Sequence, residues 1–457
     1  MTNDKRIRLA VHLSTGALLA LVSILEDFIT NDNMLGDFAG WGPIQTLLLA
    51  VGILVMAIGL ILPPGVVSRV STSVCLSLLS LIVTLLLCEG VFRAVGFDFA
   101  RQEQALQKLP VYYRLPSVPT GQVYFRRRGP EQWTGQVLNT MMKQANLLPN
   151  PYGNEEVITV TYDSKGFRNS DDLLNWDIAV AGDSFTELGY LPYDQLFTTL
   201  LGKMLNVAVL NLGASVTGPL TQLSYLQDYG VSPSTRHAVV VFFEGNDLGD
   251  LHMEYEALER FRETGQRESR EFKQPSFVRA LRDLLLSLKS PDRPTETVHA
   301  YFKSIRGDIP VTLNYAPPGS SGISPKSKAQ LDYFFANYAR FGRERNITVW
   351  LAFMPCKERV LHGQIRFTDE GSEQFKSWQP TDFPNEIARL SGQYGVRFID
   401  LTSALVDETR SRRELVYNSI FDTHLNSLGS LVVAREMERH LATQILKLPN
   451  KALQPTR

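Results

Sequence analysis

The chain has 457 residues, 46 Lys and Arg against 47 Asp and Glu, a net charge of −1 and 44% hydrophobic residues. That neutral balance argues against a nucleic-acid partner, which selects a basic face, and the length allows a membrane region plus one large α/β domain but not a second independent enzyme. Cys75, Cys88 and Cys356 make no disulfide framework, and His237, His252, His299, His362 and His440 are too scattered for a zinc site, so neither a metal nor a cofactor is implied.

Three charge-free stretches come first, at 9–25, at 38–68 with a core at 44–62, and at 70–88. At about 1.5 Å per residue such cores reach about 26–28 Å, close to the ~30 Å hydrocarbon layer. They lack the charged stripe of a buried soluble bundle, and a cleaved leader would explain only the first. Three transmembrane helices are therefore expected within residues 1–95, with a lipid bilayer as a partner. Lys5, Arg6 and Arg8 precede the first span and Arg69 separates the second from the third, whereas Glu26, Asp27, Asp32 and Asp37 fill the first loop. This asymmetry puts the N-terminus in the cytoplasm and, across an odd number of spans, exports the domain beyond the third. Arg93, Arg101 and Lys108 after the third span are a weaker counter-signal. An exported domain without disulfides fits a bacterial inner-membrane protein facing the periplasm or cell exterior.

Residues 96–155 read as an irregular, proline-containing lead-in, with Arg126, Arg127 and Arg128 at a solvated strand end or loop. Residues 156–447 alternate short apolar runs near 176–181, 207–212, 238–243, 347–354 and 396–401 with helical patterns near 193–204, 219–228, 325–343, 383–394 and 427–446. That alternation predicts a parallel sheet covered on both faces, a three-layer α/β/α domain. An insertion at about 250–324 interrupts it, with a charged helical stretch at 254–282 and a strand excursion near 298–315; a lid over the site and a peripheral elaboration are both open. Residues 448–457 read as a frayed tail.

Chemistry concentrates at the ends of the predicted strands. The first runs into Gly182-Asp183-Ser184, which presents one hydroxyl at the carboxyl edge of the sheet and makes Ser184 a candidate nucleophile. The second ends at Gly213, whose backbone N–H is a candidate donor to a substrate oxygen, and the third leads into Glu244-Gly245-Asn246-Asp247, where the Asn246 amide is another. Near the C-terminus, Asp422-Thr423-His424 supplies a carboxylate and an imidazole together. Hydroxyl, base, carboxylate and oxyanion donors are what acyl transfer needs.

These four segments, in this order, resemble the SGNH (GDSL-type) hydrolase superfamily over roughly residues 155–447. The resemblance implies a flavodoxin-like α/β/α domain, with Ser184 as nucleophile and first oxyanion donor, Gly213 and Asn246 as the other donors, His424 as base and Asp422 as its partner. Two departures are local: Glu244 stands where the family usually has glycine, and Asp422 lies two residues before His424 rather than the more usual three. The segments 162–169 and 354–359 resemble those of membrane-associated bacterial members related to exopolysaccharide O-acetylation. Through them Arg168 and Lys357 are candidate contacts to an anionic or hydroxyl-rich substrate, or else turn and loop charges. The expected function is a membrane-anchored serine esterase, ester hydrolase or O-acyltransferase, acting on an envelope or acetylated-carbohydrate ester. The alternative is a catalytically inactive glycan-binding or scaffold component.

Overall fold

The computed structural model describes residues 3–30, 43–61, 69–95, 112–114, 125–127, 130–137, 156–170, 172–264, 297–368, 372–420 and 422–445. They fall into two compact units. In the first, α2 (Pro43–Ile61) and α3 (Arg69–Ala94) each pack on α1 (Asn3–Thr30). Glycines set the α1–α2 distance: a Cβ added to Gly16 would stand 2.5 Å from the Gly52 carbonyl oxygen, and one on Gly59 would stand 2.7 Å from the Cβ of His12. Small residues at the contact are how apolar helices approach without a hydrophobic drive between them. Thr15 adds a polar tie, its hydroxyl donating to the Cys75 carbonyl of α3 at 3.1 Å.

By length and composition, two helices among the described residues can cross a membrane, at Arg6–Ser23 and Thr72–Phe92, while the apolar segment Leu48–Ile61 of α2 is shorter. The expectation of three full spans is corrected to that extent. The long middle stretch read from sequence extends through 38–42 and 62–68, outside the described residues. On α3, Leu76, Leu81, Val83 and Leu87 are exposed.

The second unit begins with two antiparallel pairs, β1 (Tyr112–Arg114) with β2 (Phe125–Arg127), and β3 (Glu131–Gly135) with β4 (Ile158–Tyr162). The lead-in is thus less irregular than expected, and Arg126 and Arg127 lie in a strand. There follow β5 (Ile178–Gly182), α4 (Ser184–Glu187), α5 (Phe197–Leu205), β6 (Val209–Gly213), α6 (Pro219–Tyr229), β7 (His237–Phe243) and α7 (Asp247–Thr264). Next come β8 (Ala300–Ser304), β9 (Gly307–Val311), α8 (Pro325–Arg345), β10 (Thr348–Met354), α9 (Lys357–Leu361) and β11 (Ile365–Phe367). The last of the described elements are α10 (Glu373–Ser377), α11 (Phe383–Tyr394), β12 (Arg397–Asp400), α12 (Thr402–Arg412) and α13 (Ser427–Ile445).

The five predicted strands form one sheet in the order β12-β10-β7-β5-β6, every neighbouring pair parallel. In chain order this is 2-1-3-4-5, the doubly wound arrangement whose topological switch point lies between its first and third strands. Alternation along each strand feeds two cores. Ala179, Ala181, Val240, Leu351 and Phe353 face a layer containing α6, α7, α8 and α11. Ile178, Val180, Val239, Val241 and Trp350 face α5, α12 and α13. Strands buried on both faces explain why they read as continuous apolar runs.

The excursion expected near 298–315 is the hairpin β8–β9, but β11, from beyond β10, completes its sheet in the order β11-β8-β9. Phe302, Val311, Leu313, Leu361, Phe375 and Leu415 give it a core of its own. The insertion does not begin at 250. α7 starts at Asp247 and buries Leu251 and Leu258 against the main sheet, so its first turns belong to the helical layer. Residues 265–282 of the expected charged helix and the expected tail lie outside the described residues.

Candidate active site

Ser184 opens α4 at the carboxyl end of β5, beside the switch point. Asp183 caps that turn, its Oδ1 accepting from the Phe185 N–H at 2.8 Å. Two glycines seat it: Gly182 and Gly213 are register partners on β5 and β6. A Cβ on Gly182 would stand 2.1 Å from Thr186 Oγ1, and one on Gly213 would stand 2.3 Å from the Glu187 backbone nitrogen. The nucleophile turn therefore lies directly on the sheet edge, with no room for a side chain beneath it.

His424 arrives from 240 positions away and places Nε2 2.6 Å from Ser184 Oγ. Its Nδ1 contacts Asp422 Oδ1, so the two-residue spacing permits the contact. Asn418 Nδ2 donates to Asp422 Oδ2, and Asn418 N donates to the His424 carbonyl at 2.9 Å, folding the loop onto itself. Asn426 pins both ends: its Nδ2 donates to the Leu415 carbonyl at 2.7 Å, and its Oδ1 accepts the Gly429 N–H of α13 at 3.0 Å. The imidazole is flanked by Phe185 at 4.7 Å and Tyr190 at 5.0 Å between ring centroids.

The electrostatics follow from burial and carboxylates. Burial opposes charging of His424, but the charge of Asp422 and the hydrogen bond to it outweigh that, with Asp183 and Glu187 adding, so its pKa is raised. For Asp422 burial pushes upward, yet the charge of His424, the bonds from His424 and Asn418 and the charge of Lys357 hold the carboxyl below the ordinary range. The two shifts agree in sign as an ion pair requires. Asp183 is buried with Oδ2 unpartnered among the described residues, and burial lifts it to about 7. Asp247, also fully buried, is raised by burial and then by the charges of Asp183 and Asp250.

Three of the expected roles change. The Gly213 N–H is committed to Asn211 Oδ1 at 2.7 Å, and Asn211 Nδ2 in turn donates to the Thr186 carbonyl at 3.0 Å. Gly213 thus serves by lacking a side chain, not by donating to a substrate. Arg168 is fully buried and donates to the carbonyls of Leu188 at 2.8 Å and Leu191 at 2.7 Å, stitching down the segment after the nucleophile turn. Lys357, likewise buried, donates to the carbonyls of Thr312 at 3.1 Å, Ser419 at 3.5 Å and Asp422 at 2.7 Å. Neither cation is available as a substrate contact. Both are internal struts, satisfying carbonyls that burial would otherwise strand.

Asn246 keeps its place at the end of β7. It donates to Asp250 Oδ2 at 2.7 Å, which uses one of its two amide hydrogens. Glu244, at the position where glycine was expected, is a buried anchor. It is bidentate with Arg359, accepts the Cys356 N–H at 3.0 Å, and so joins β7 to α9.

Sequence reading missed several supports. Asn169 exchanges hydrogen bonds with the backbone of Asn211, and Glu187 accepts from Tyr162 Oη at 2.7 Å and from the Ser215 N–H at 2.7 Å. The N–H groups of Gly213, Ala214 and Ser215 all have acceptors; the first along this loop without one, among the described residues, is that of Val216. Val216 has φ +64°, an unusual conformation for a β-branched residue. No sequence signal announces it, because the strain depends on a loop held from Glu187.

No protein-family model matches the chain, and neither does any curated protein. Similarity is found to solved structures. An acetyl xylan esterase is 13% identical, with 58% of this chain and 99% of that one covered and a TM-score of 0.32. A psychrotrophic esterase from Pseudoalteromonas sp. is 10% identical over 59% of this chain and 99% of that one, TM-score 0.30. A lipase/acylhydrolase from Enterococcus faecalis is 11% identical over 59% and 96%, TM-score 0.30.

Proposed function

We propose that the chain is a membrane-anchored serine esterase, an ester hydrolase or O-acyltransferase, working on an envelope or glycan ester outside the cytoplasm. The observation that carries this reading is the contact of Ser184 Oγ with His424 Nε2 at 2.6 Å, with Asp422 on the far nitrogen. In the reaction His424 Nε2 takes the hydroxyl proton as Ser184 Oγ attacks the acyl carbonyl. Asp422 holds the tautomer and stabilises the imidazolium. The Ser184 N–H, the Asn246 amide and the Val216 N–H are the donors we assign to the oxyanion. The tetrahedral adduct collapses to an acyl-Ser184 ester, and His424 returns its proton to the leaving alcohol. Water then completes hydrolysis and a sugar hydroxyl completes transfer. The two apolar helices support anchoring, and the basic N-terminus followed by an acidic first loop supports an exported domain.

Labelling with a fluorophosphonate probe tests the reading. The detergent-solubilised protein is expected to react, and Ser184→Ala and His424→Ala to be silent. A folded wild type that does not label would overturn it.

A further inference from the structure

A cavity of about 210 Å³ opens beside α9, apart from the serine and histidine. Its walls include Leu313, Phe367, Phe375 and Trp378, and among the described lining residues the one deeply buried polar group is Glu358. Glu358 Oε1 accepts the N–H groups of Asn314 and Tyr315, the latter at 2.9 Å. Its Oε2 is buried and has no partner among the described residues. A buried oxygen left unsatisfied is costly, so a ligand group that bonds to it gains what the fold leaves unmade.

The walls narrow the choice of ligand. The volume lies below the ~300–1,000 Å³ of drug-sized sites, which suits one ring and not an extended chain. An acyl chain would leave Oε2 unpaired. An ammonium is opposed by Lys376 at the rim and by the Arg359 guanidinium, 5.9 Å from the Trp378 ring centroid. Lys376 is itself engaged by Glu373 at 2.8 Å, so among the described residues the site holds no free cation cluster to select a phosphate. A hydroxyl both donates and accepts and so bonds Glu358 whether or not the carboxyl is protonated, and its pKa is raised, chiefly by burial. Flat apolar walls complement the C–H face of a pyranose.

We propose that this cavity is a carbohydrate subsite that seats one uncharged pyranose ring, its apolar face on Trp378 and a hydroxyl on Glu358 Oε2. Its role as a subsite for substrate rests on the ester-chemistry reading; sugar binding itself does not. The site is coupled to the catalytic loop through α9, where Glu358 adjoins Lys357, whose ammonium holds the Asp422 carbonyl. A second route runs from Tyr315 to Phe243 at 5.3 Å and from Phe243 to Phe185 at 3.8 Å between ring centroids.

The test is titration of the detergent-solubilised full chain, as Ser184→Ala, with xylohexaose and with cellohexaose, read by saturation-transfer NMR and tryptophan fluorescence. At least one of the two is expected to bind saturably with a Kd of about 1 mM or tighter, weakened roughly tenfold or more by Trp378→Ala or by Trp378→Leu. Trp378→Leu keeps an apolar side chain without the flat ring, and so decides the matter should Trp378→Ala fail to fold. No saturable binding of either sugar up to about 10 mM, or binding unchanged in the folded variants, would overturn the proposal and leave Oε2 to a water. Hydrolysis of p-nitrophenyl acetate by the wild type is measured separately. Its absence with sugar binding intact sinks the esterase reading alone.

Discussion

Ser184 and His424 meet across 240 positions with 2.6 Å between Oγ and Nε2, and the charge state of His424 controls that contact. Because its pKa is raised, the imidazole becomes a free base only at a pH above the ordinary 6.5. The acid limb of kcat/KM should therefore have its midpoint above 6.5. In Asp422→Asn the midpoint should move down and kcat should fall by about 10⁴, the loss expected when a histidine is no longer held in its working tautomer. A limb unmoved by that substitution would remove Asp422 from the site. Asn246→Ala should lower kcat by about 10²–10³ with little change in KM if its amide serves the oxyanion. The hydroxyl, imidazole and carboxylate were legible because each follows a strand or precedes a helix with a strong pattern. Arg168 and Lys357 were misread because a cation in a loop looks the same in sequence whether it faces solvent or caps buried carbonyls.

Among the elements, the join between β7 and α9 decides how firmly the catalytic loop is held. Glu244 and Arg359 form a buried bidentate pair, and Lys357 on the same helix carries the Asp422 carbonyl. Glu244→Gly strands the guanidinium and should cost about 3–5 kcal/mol, measurable by chemical denaturation, with much of the loss recovered when Arg359→Met is added. Equal stability of the single and double variants would show that the pair does not matter. β8, β9 and β11 brace the same loop from the other side, the Thr312 N–H donating to the Ser419 carbonyl at 3.0 Å and the Ile305 N–H to Arg413 at 3.3 Å. This three-stranded sheet was only half visible in advance. The β8–β9 hairpin is local, whereas β11 is three residues long and joins from beyond β10, a pairing that no short-range pattern encodes.

For the whole molecule, the buried carboxylates set how stability depends on pH. Asp183 titrates near 7 in the fold against 3.8 for the ordinary group. The folded state therefore holds a proton that the unfolded chain releases. That contribution is complete below 3.8 and is lost as pH rises through 7. Thermal unfolding should accordingly occur at falling temperature between about pH 4 and 7, and the slope should flatten in Asp183→Asn. An unchanged slope would assign the effect elsewhere, Asp247 being the nearest alternative.

From the order of residues alone came the apolar N-terminal helices, the five strands with their intervening helices, the strand-end positions of Ser184 and Asn246, and the Asp422–His424 pair just before the last helix. All of these are local: hydrophobic periodicity and turn chemistry are written within a few residues. The strand order 2-1-3-4-5, the steric duty of Gly213, the burial of Arg168 and Lys357, the Glu244–Arg359 anchor and the cavity at Glu358 were decided only in three dimensions. Each depends on which distant backbone groups a side chain meets once solvent is excluded, and desolvation is a property of the packed chain that no single segment carries.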